Sequence, residues 1–106
     1  MLVFYIQHEL GPWAKEKQYC DVIERKLREN NIPFVREFPL GSRGNITDFM
    51  VDNKIILELK AKRIILRDDY VQTQRYLQQA QVKLAILVNF RSKFIKPIRV
   101  VKIDLE

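Results

Sequence analysis

Glu58 and Lys60 stand two apart in the run IILELKA, so in a strand they share one face with Ile56 while Leu57 and Leu59 take the other. Asp48, in the preceding run NITDFMVD, falls on the face of Met50, away from Phe49 and Val51. A hairpin loop of Asp52 and Asn53 alone would set Asp48 against Leu57 and leave the apolar faces in disagreement. A three-residue loop that includes Lys54, with Asn53 or Lys54 left-handed, sets Asp48 opposite Glu58 and Met50 opposite Ile56. Directly opposed residues have Cβ atoms about 4.5–5.5 Å apart, and two carboxylates there repel unless a cation lies between them. Lys60 is one such cation, and a divalent metal is a better one. Ligation by oxygen alone selects a hard ion, Mg²⁺ with Mn²⁺ as its substitute, which keeps waters that the oxygens of a phosphate-bearing substrate replace. Such an ion acidifies water and steadies the charge that grows on a phosphodiester under attack. Lys60 is then expected to orient water and stabilise charge as an ammonium rather than act as a free base.

Glu16 is a third displaced acid. It lies three and four residues before Tyr19 and Cys20 and extends the apolar stripe of its helix, yet as a first-turn acid it also complements the helix dipole. Both roles stay open, and Asp48 or Glu58 taken alone equally suits an exposed strand face.

The elements that must carry these residues follow from punctuation and period. Gly11 and Pro12 separate a short apolar segment from a helix predicted over 13–30. Its stripe of Tyr19, Cys20, Ile23 and Leu27 faces the core, and Asp21 with Arg25 and Glu24 with Arg28 form acid-first pairs four apart in solvent. PFVREFPL at 33–40 reads as a strand, Gly41 to Gly44 as a turn, and 45–52 with 54–61 as the hairpin. Residues 67–80, free of Gly and Pro, read as a second helix with Asp68 and Asp69 at its positive end. VKLAILVNF at 82–90 is then a buried strand and 98–105 a last one. The order α-α-β-β-β-α-β-β predicts an α/β (α+β) fold, a mixed sheet of about four or five strands flanked by helices.

A chain of 106 residues suits a single domain, 1–106, and excludes most large catalytic folds. One Cys and one His exclude a Cys/His zinc cage and an internal disulfide, and a reduced, cytoplasmic setting is expected. The opening MLVFYI lacks a basic leader, and the longest later apolar run, LAILV at 84–88, is far below the ~18 residues of a membrane span. Neither secretion nor membrane insertion is expected. The net charge of +6 is regional, because residues 70–103 hold 7 basic and no acidic side chains. Arg75, Lys83, Arg91 and Lys93, with Lys96, Arg99 and Lys102, are candidates for a phosphate-tracking surface, each with a solvated face as its alternative. Nucleic acid is the expected partner, DNA before RNA. Trp13, Tyr70, Tyr76 and Phe90 read as packing residues, Cys20 as a small core residue and His8 as structural or solvated, with Phe94 left open.

QHELGP at 7–12, Glu16-x-x-Tyr19, TDFMVD at 47–52, ILELKA at 56–61, QTQRYL at 72–77 and LVNF at 87–90 occur in one order. In that order nearly the whole chain resembles the small GxxExxY proteins of the PD-(D/E)xK nuclease-like superfamily. The resemblance implies a restriction-endonuclease-like core and a metal site of Asp48 and Glu58, with the Leu59 carbonyl as third ligand and Glu16 as an upstream acid near the metal. It also implies Lys60 as the motif lysine and Gln72 as a polar residue reaching in from the second helix. Trp13 stands where the family name has glycine, and Thr47 where the superfamily label has proline, a change of little chemical consequence on this reading. Arg75 replaces an Asn-like position and adds charge near the substrate path. The implied activity is Mg²⁺-dependent hydrolysis of phosphodiester bonds in DNA, with homodimeric arrangements among relatives. The competing class is a catalytically silent nucleic-acid-binding module that retains the fold and keeps Lys60 with Glu58 or Asp48 as an ion pair.

Overall fold

The computed structural model describes residues 14–92 and 95–105. The expectations for His8, Gly11, Pro12 and Trp13, the first α of the predicted order, and those for Lys93 and Phe94 lie outside the described residues. The chain forms α1 (Glu16–Glu29), β1 (Phe34–Leu40), β2 (Asn45–Val51), β3 (Ile55–Lys60), α2 (Arg67–Ala80), β4 (Leu84–Asn89) and β5 (Ile98–Val101). The five strands make one sheet in sequence order. Neighbours are antiparallel except β3 and β4, which α2 joins as a parallel pair. The result is the expected α+β architecture of a five-stranded mixed sheet between two helices, consistent with a restriction-endonuclease-like core. No helix among the described residues is long and apolar enough to cross a membrane.

Each helix is held by its own apolar face. α1 buries Tyr19, Cys20, Val22, Ile23 and Leu27, the expected stripe plus Val22, against Phe49, Leu59, Val88 and Phe90. Tyr19 stacks on Phe90 with ring centroids 4.2 Å apart. On the opposite face, Tyr76 and Leu77 of α2 meet Met50, Ile56, Ala85 and Val100. β4, covered on both sides, is correspondingly almost wholly apolar. Glu24 takes Arg28 as expected at 3.4 Å, but Asp21, matched with Arg25 on spacing alone, is held by Lys17 at 3.2 Å and by Arg36 of β1 at 2.7 Å. Tyr70, expected inside, is exposed. The last strand ends at Val101 rather than 105 because α2 takes over its backbone. Gln74 donates to the Val101 carbonyl and accepts the Ile103 N–H, and Gln78 donates to the Ile103 carbonyl.

β1 and β2 turn over halfway along. Phe34 joins the core beneath α1 and Arg36 reaches Asp21 and Glu24, whereas Phe38 and Leu40 belong to the core beneath α2. On β2, Phe49 lies beneath α1 while Asn45 bonds Gln79 of α2. The register keeps one offset on either side of Glu37, from Arg36↔Phe49 to Phe38↔Thr47, so Glu37 falls at the level of Asp48, and Glu37 carries the inversion with a φ of 55°. A left-handed glutamate costs about 1 kcal/mol or more that glycine does not. Glu37→Gly is therefore expected to stabilise the fold by about 0.5–1 kcal/mol, raising the melting temperature by about 2–6 °C. Thermal unfolding followed by circular dichroism checks this, and a lowered melting temperature would contradict it.

Candidate active site where the hairpin splays

The loop between β2 and β3 has the expected three residues, and Met50 faces Ile56 as expected. Its left-handed residues are Asp52 and Asn53. The β2–β3 ladder ends at Phe49↔Leu57, while β3 continues beside β4 to Lys60↔Asn89. Beyond Leu57, side chains replace the ladder. Asp48 Oδ2 accepts the Leu59 N–H at 2.8 Å, and Glu58 Oε1 accepts the Asp48 N–H at 2.9 Å and the Thr47 hydroxyl at 2.5 Å. The two acids thus interlock instead of facing each other as a cross-strand pair. Direct opposition would have set like charges side by side, whereas splaying gives each one backbone donor and leaves Asp48 Oδ1 and Glu58 Oε2 free of the hairpin. The Leu59 N–H turned toward Asp48 puts the Leu59 carbonyl on the same edge of β3.

Electrostatics at the splay are those of acids held against their charge. Burial, then the charge of Asp48, pushes the Glu58 carboxyl up to about 7, against the pull of Thr47 and the Asp48 N–H. Asp48 is raised by burial, opposed by the Leu59 N–H and by Lys60. Glu16 reaches the same region from α1, and burial followed by the Asp48 charge raises it too. Glu16 and Asp48 line a cavity of about 320 Å³ with Lys17, Cys20, Arg36 and Glu37. Burial pushes the Cys20 thiol up to about 12, so it is an inert wall of that cavity at neutral pH.

Lys60 donates to Gln72 Oε1 at 3.0 Å, and its Nζ is 4.0 Å from Glu58 Oε2 and 4.0 Å from Asp69 Oδ1. Asp69, three residues into α2 from its cap, accepts the Leu66 N–H at 2.7 Å and the Lys62 ammonium at 2.9 Å. Burial raises its carboxyl, but the Leu66 N–H and Lys62 outweigh burial and hold it below the ordinary carboxylate range. The structure therefore brings Glu16, Asp48, Glu58, the Leu59 carbonyl, Lys60 and Gln72 to one end of the sheet. Arg91 follows β4 at that same end, and Arg75 is exposed one turn beyond Gln72. Lys83 is not brought there. It precedes the other end of β4, where Leu84 pairs with Ile55, roughly 20 Å away along the strand. A charge run in sequence does not say which end of a strand each member occupies.

Three residues went unnoticed in the sequence or were given another role. Thr47, read as a proline replacement of little consequence, orients Glu58. Asp69, read as a helix-dipole acid, pairs with Lys62 and lies 4.0 Å from Lys60. Asn89 takes the Lys62 N–H at 3.0 Å and donates to the Lys62 carbonyl at 2.8 Å, fixing the chain as it leaves β3. An Asn closing the apolar run LAILV was the available signal for this clamp.

Among the described residues no three or more His, Cys, Asp and Glu side chains form a metal cage. The donors are fewer: two carboxylates with an oxygen to spare and one backbone carbonyl, which suits a hard ion that keeps several waters. A cation between Asp48 and Glu58 would also relieve the repulsion that Asp48 exerts on Glu58, so the residues fit such an ion. Comparison with curated proteins and with solved structures finds no match. A family model described as the PD-(D/E)XK nuclease superfamily matches residues 1–101, and the chain belongs to that superfamily, whose members are generally phosphodiester hydrolases that use divalent metals on nucleic acid.

Proposed function

We propose that this chain is a Mg²⁺-dependent nuclease acting on DNA, with Asp48 and Glu58 as the carboxylate ligands and the Leu59 carbonyl beside them. The observation that carries this reading is the interlocked pair of raised acids next to a lysine held by Gln72. Mg²⁺, or Mn²⁺ in its place, supplies charge stabilisation at the phosphoryl oxygens when bound. The chain's own groups do the rest. Thr47 and the Asp48 N–H fix Glu58 Oε1, so that Oε2 is presented in one orientation. Gln72 fixes the Lys60 ammonium and uses one of its three donors, leaving others for the attacking water or a phosphate oxygen. Glu16 can accept a proton from that water, its carboxyl being raised toward the range useful to a base. Arg75 and Arg91 flank the site for adjoining phosphates, whereas Lys83 suits only a contact farther along the backbone. A homodimer would set two such sites across a duplex.

A silent binding module would keep Lys60 with Glu58 or Asp48 as an ion pair and need no metal; Lys60 and Glu58 stand 4.0 Å apart, while the Lys60 hydrogen bond goes to Gln72. Labelled DNA and RNA of one sequence, incubated with Mg²⁺, with Mn²⁺ or with chelator, test the reading. Metal-dependent DNA cleavage, slowed about 10²–10³-fold in Lys60→Ala, is expected. Cleavage that survives chelation, or that Lys60→Ala leaves intact, would overturn it.

A further inference from the structure

The connection from β3 to α2 is clamped to the core at both ends by buried polar side chains. Asn89 holds Lys62 through both of its backbone groups, and Asp69 takes the Lys62 ammonium and the Leu66 N–H. Between and just beyond these clamps the chain exposes Arg63, Ile64, Leu66, Arg67 and Tyr70. Ile64 is 57% and Leu66 49% accessible. Large aliphatic side chains on a free loop can fold back onto the protein, but both ends of this loop are fixed and its apolar groups stay in solvent. Lys62 is matched by Asp69, while Arg63 and Arg67 form no ion pair among the described residues and bracket Ile64 and Leu66, with Asp68 the neighbouring exposed acid. The loop begins directly after Lys60, so it borders the splayed acids.

Cations on either side of exposed apolar groups match a nucleic-acid strand whose bases are unstacked, phosphates going to the arginines and base faces to the aliphatic and aromatic side chains. A closed duplex offers the phosphates but hides the base faces. We infer that the loop from Lys62 to Leu66, with Arg67 and Tyr70, reads unpaired bases beside the scissile phosphate, so the preferred substrate contains a single-stranded segment, overhang or fork. The inference rests on the nuclease reading for its location, but its test needs no cleavage.

Fluorescence anisotropy in chelator, with the full chain and a labelled single strand, a forked duplex and a blunt duplex of matched sequence, measures the preference. The single strand and the fork should bind about tenfold more tightly than the blunt duplex. The double variant Ile64→Ser/Leu66→Ser should lose that difference while its blunt-duplex affinity stays within about twofold. Arg63→Ala/Arg67→Ala should weaken all three alike and flatten the salt dependence. Both serine sites are exposed, so melting temperatures should hold; if the double variant is destabilised, each single serine variant should still show part of the loss. Equal binding of all three DNAs by the unaltered chain would overturn the inference, as would a preference untouched by the serines. Serines that dissociate a dimer without altering DNA preference would also overturn it and assign the patch to a second copy. A chain that prefers forked DNA yet cleaves nothing with Mg²⁺ would instead sink the nuclease reading and leave the loop's role standing.

Discussion

Glu58→Gln is expected to abolish Mg²⁺-dependent cleavage, by about 10³-fold or more, and at the same time to raise the metal-free melting temperature at pH 8. Both effects come from one carboxyl held against its charge. Burial and the Asp48 carboxylate push Glu58 up to about 7, from about 4.3 in an unfolded chain. Between those values the native chain binds more protons than the unfolded one, so stability falls as pH rises through the window. The full cost, on the order of 4 kcal/mol at most, is present above the upper value. Glutamine carries no charge, and its amide oxygen can still accept from Thr47 and the Asp48 N–H. Losing the 4.0 Å contact with Lys60 offsets part of the gain. The variant's advantage should therefore be greatest at pH 8 and vanish near pH 4. Mg²⁺ should raise the melting temperature of the unaltered chain and not of the variant. A variant that melts below its parent at pH 8 would remove the electrostatic strain from Glu58, and one that still cleaves would remove Glu58 from the site.

That carboxyl also marks how far sequence alone could reach. The hairpin register was legible because only a three-residue loop lets Met50 meet Ile56 with both apolar faces in agreement. α2 was legible end to end, because Gly and Pro are absent from it and two acids open it. Gln72 accepts a hydrogen bond from Lys60, a contact that helical period alone does not single out and that the family resemblance, which implied only a polar residue from the second helix, did not specify. What alternation cannot show is its own interruption. Carried through β1, a period of two would put Phe34, Arg36, Phe38 and Leu40 on one face, but the left-handed Glu37 divides them between two cores. The same inversion takes Asp48 out of the facing pair expected of it and turns its carboxylate onto the Leu59 N–H. Thr47 was illegible for a related reason: its hydroxyl matters only because the strands part where Glu58 can reach it.

Asp48 separates the structural from the chemical use of a carboxylate. Asp48→Ala removes the acceptor of the Leu59 N–H, a donor on a wholly buried residue, and should cost about 1–3 kcal/mol through that bond. Asp48→Asn keeps an oxygen for Leu59 and removes only the charge, so at pH 8 it should melt at or above the unaltered chain. Alanine should lie below asparagine by about 4 °C or more. Either change withdraws the charge that, after burial, does most to raise Glu58, so the loss of stability between about pH 4.5 and 7 should shrink in both variants. Cleavage should fall about 10³-fold in both, since neither supplies an anionic ligand. Thermal and urea unfolding at pH 5 and pH 8, beside cleavage assays, separate these expectations. An asparagine variant as unstable as the alanine one would deny Asp48 its grip on β3, and an undiminished pH dependence would place the pressure on Glu58 elsewhere than in Asp48. If both variants lose cleavage while only alanine loses stability, then one oxygen of Asp48 holds the strands at their parting and the charge serves the metal, a division that two interlocked acids at a splayed hairpin allow and a facing pair does not.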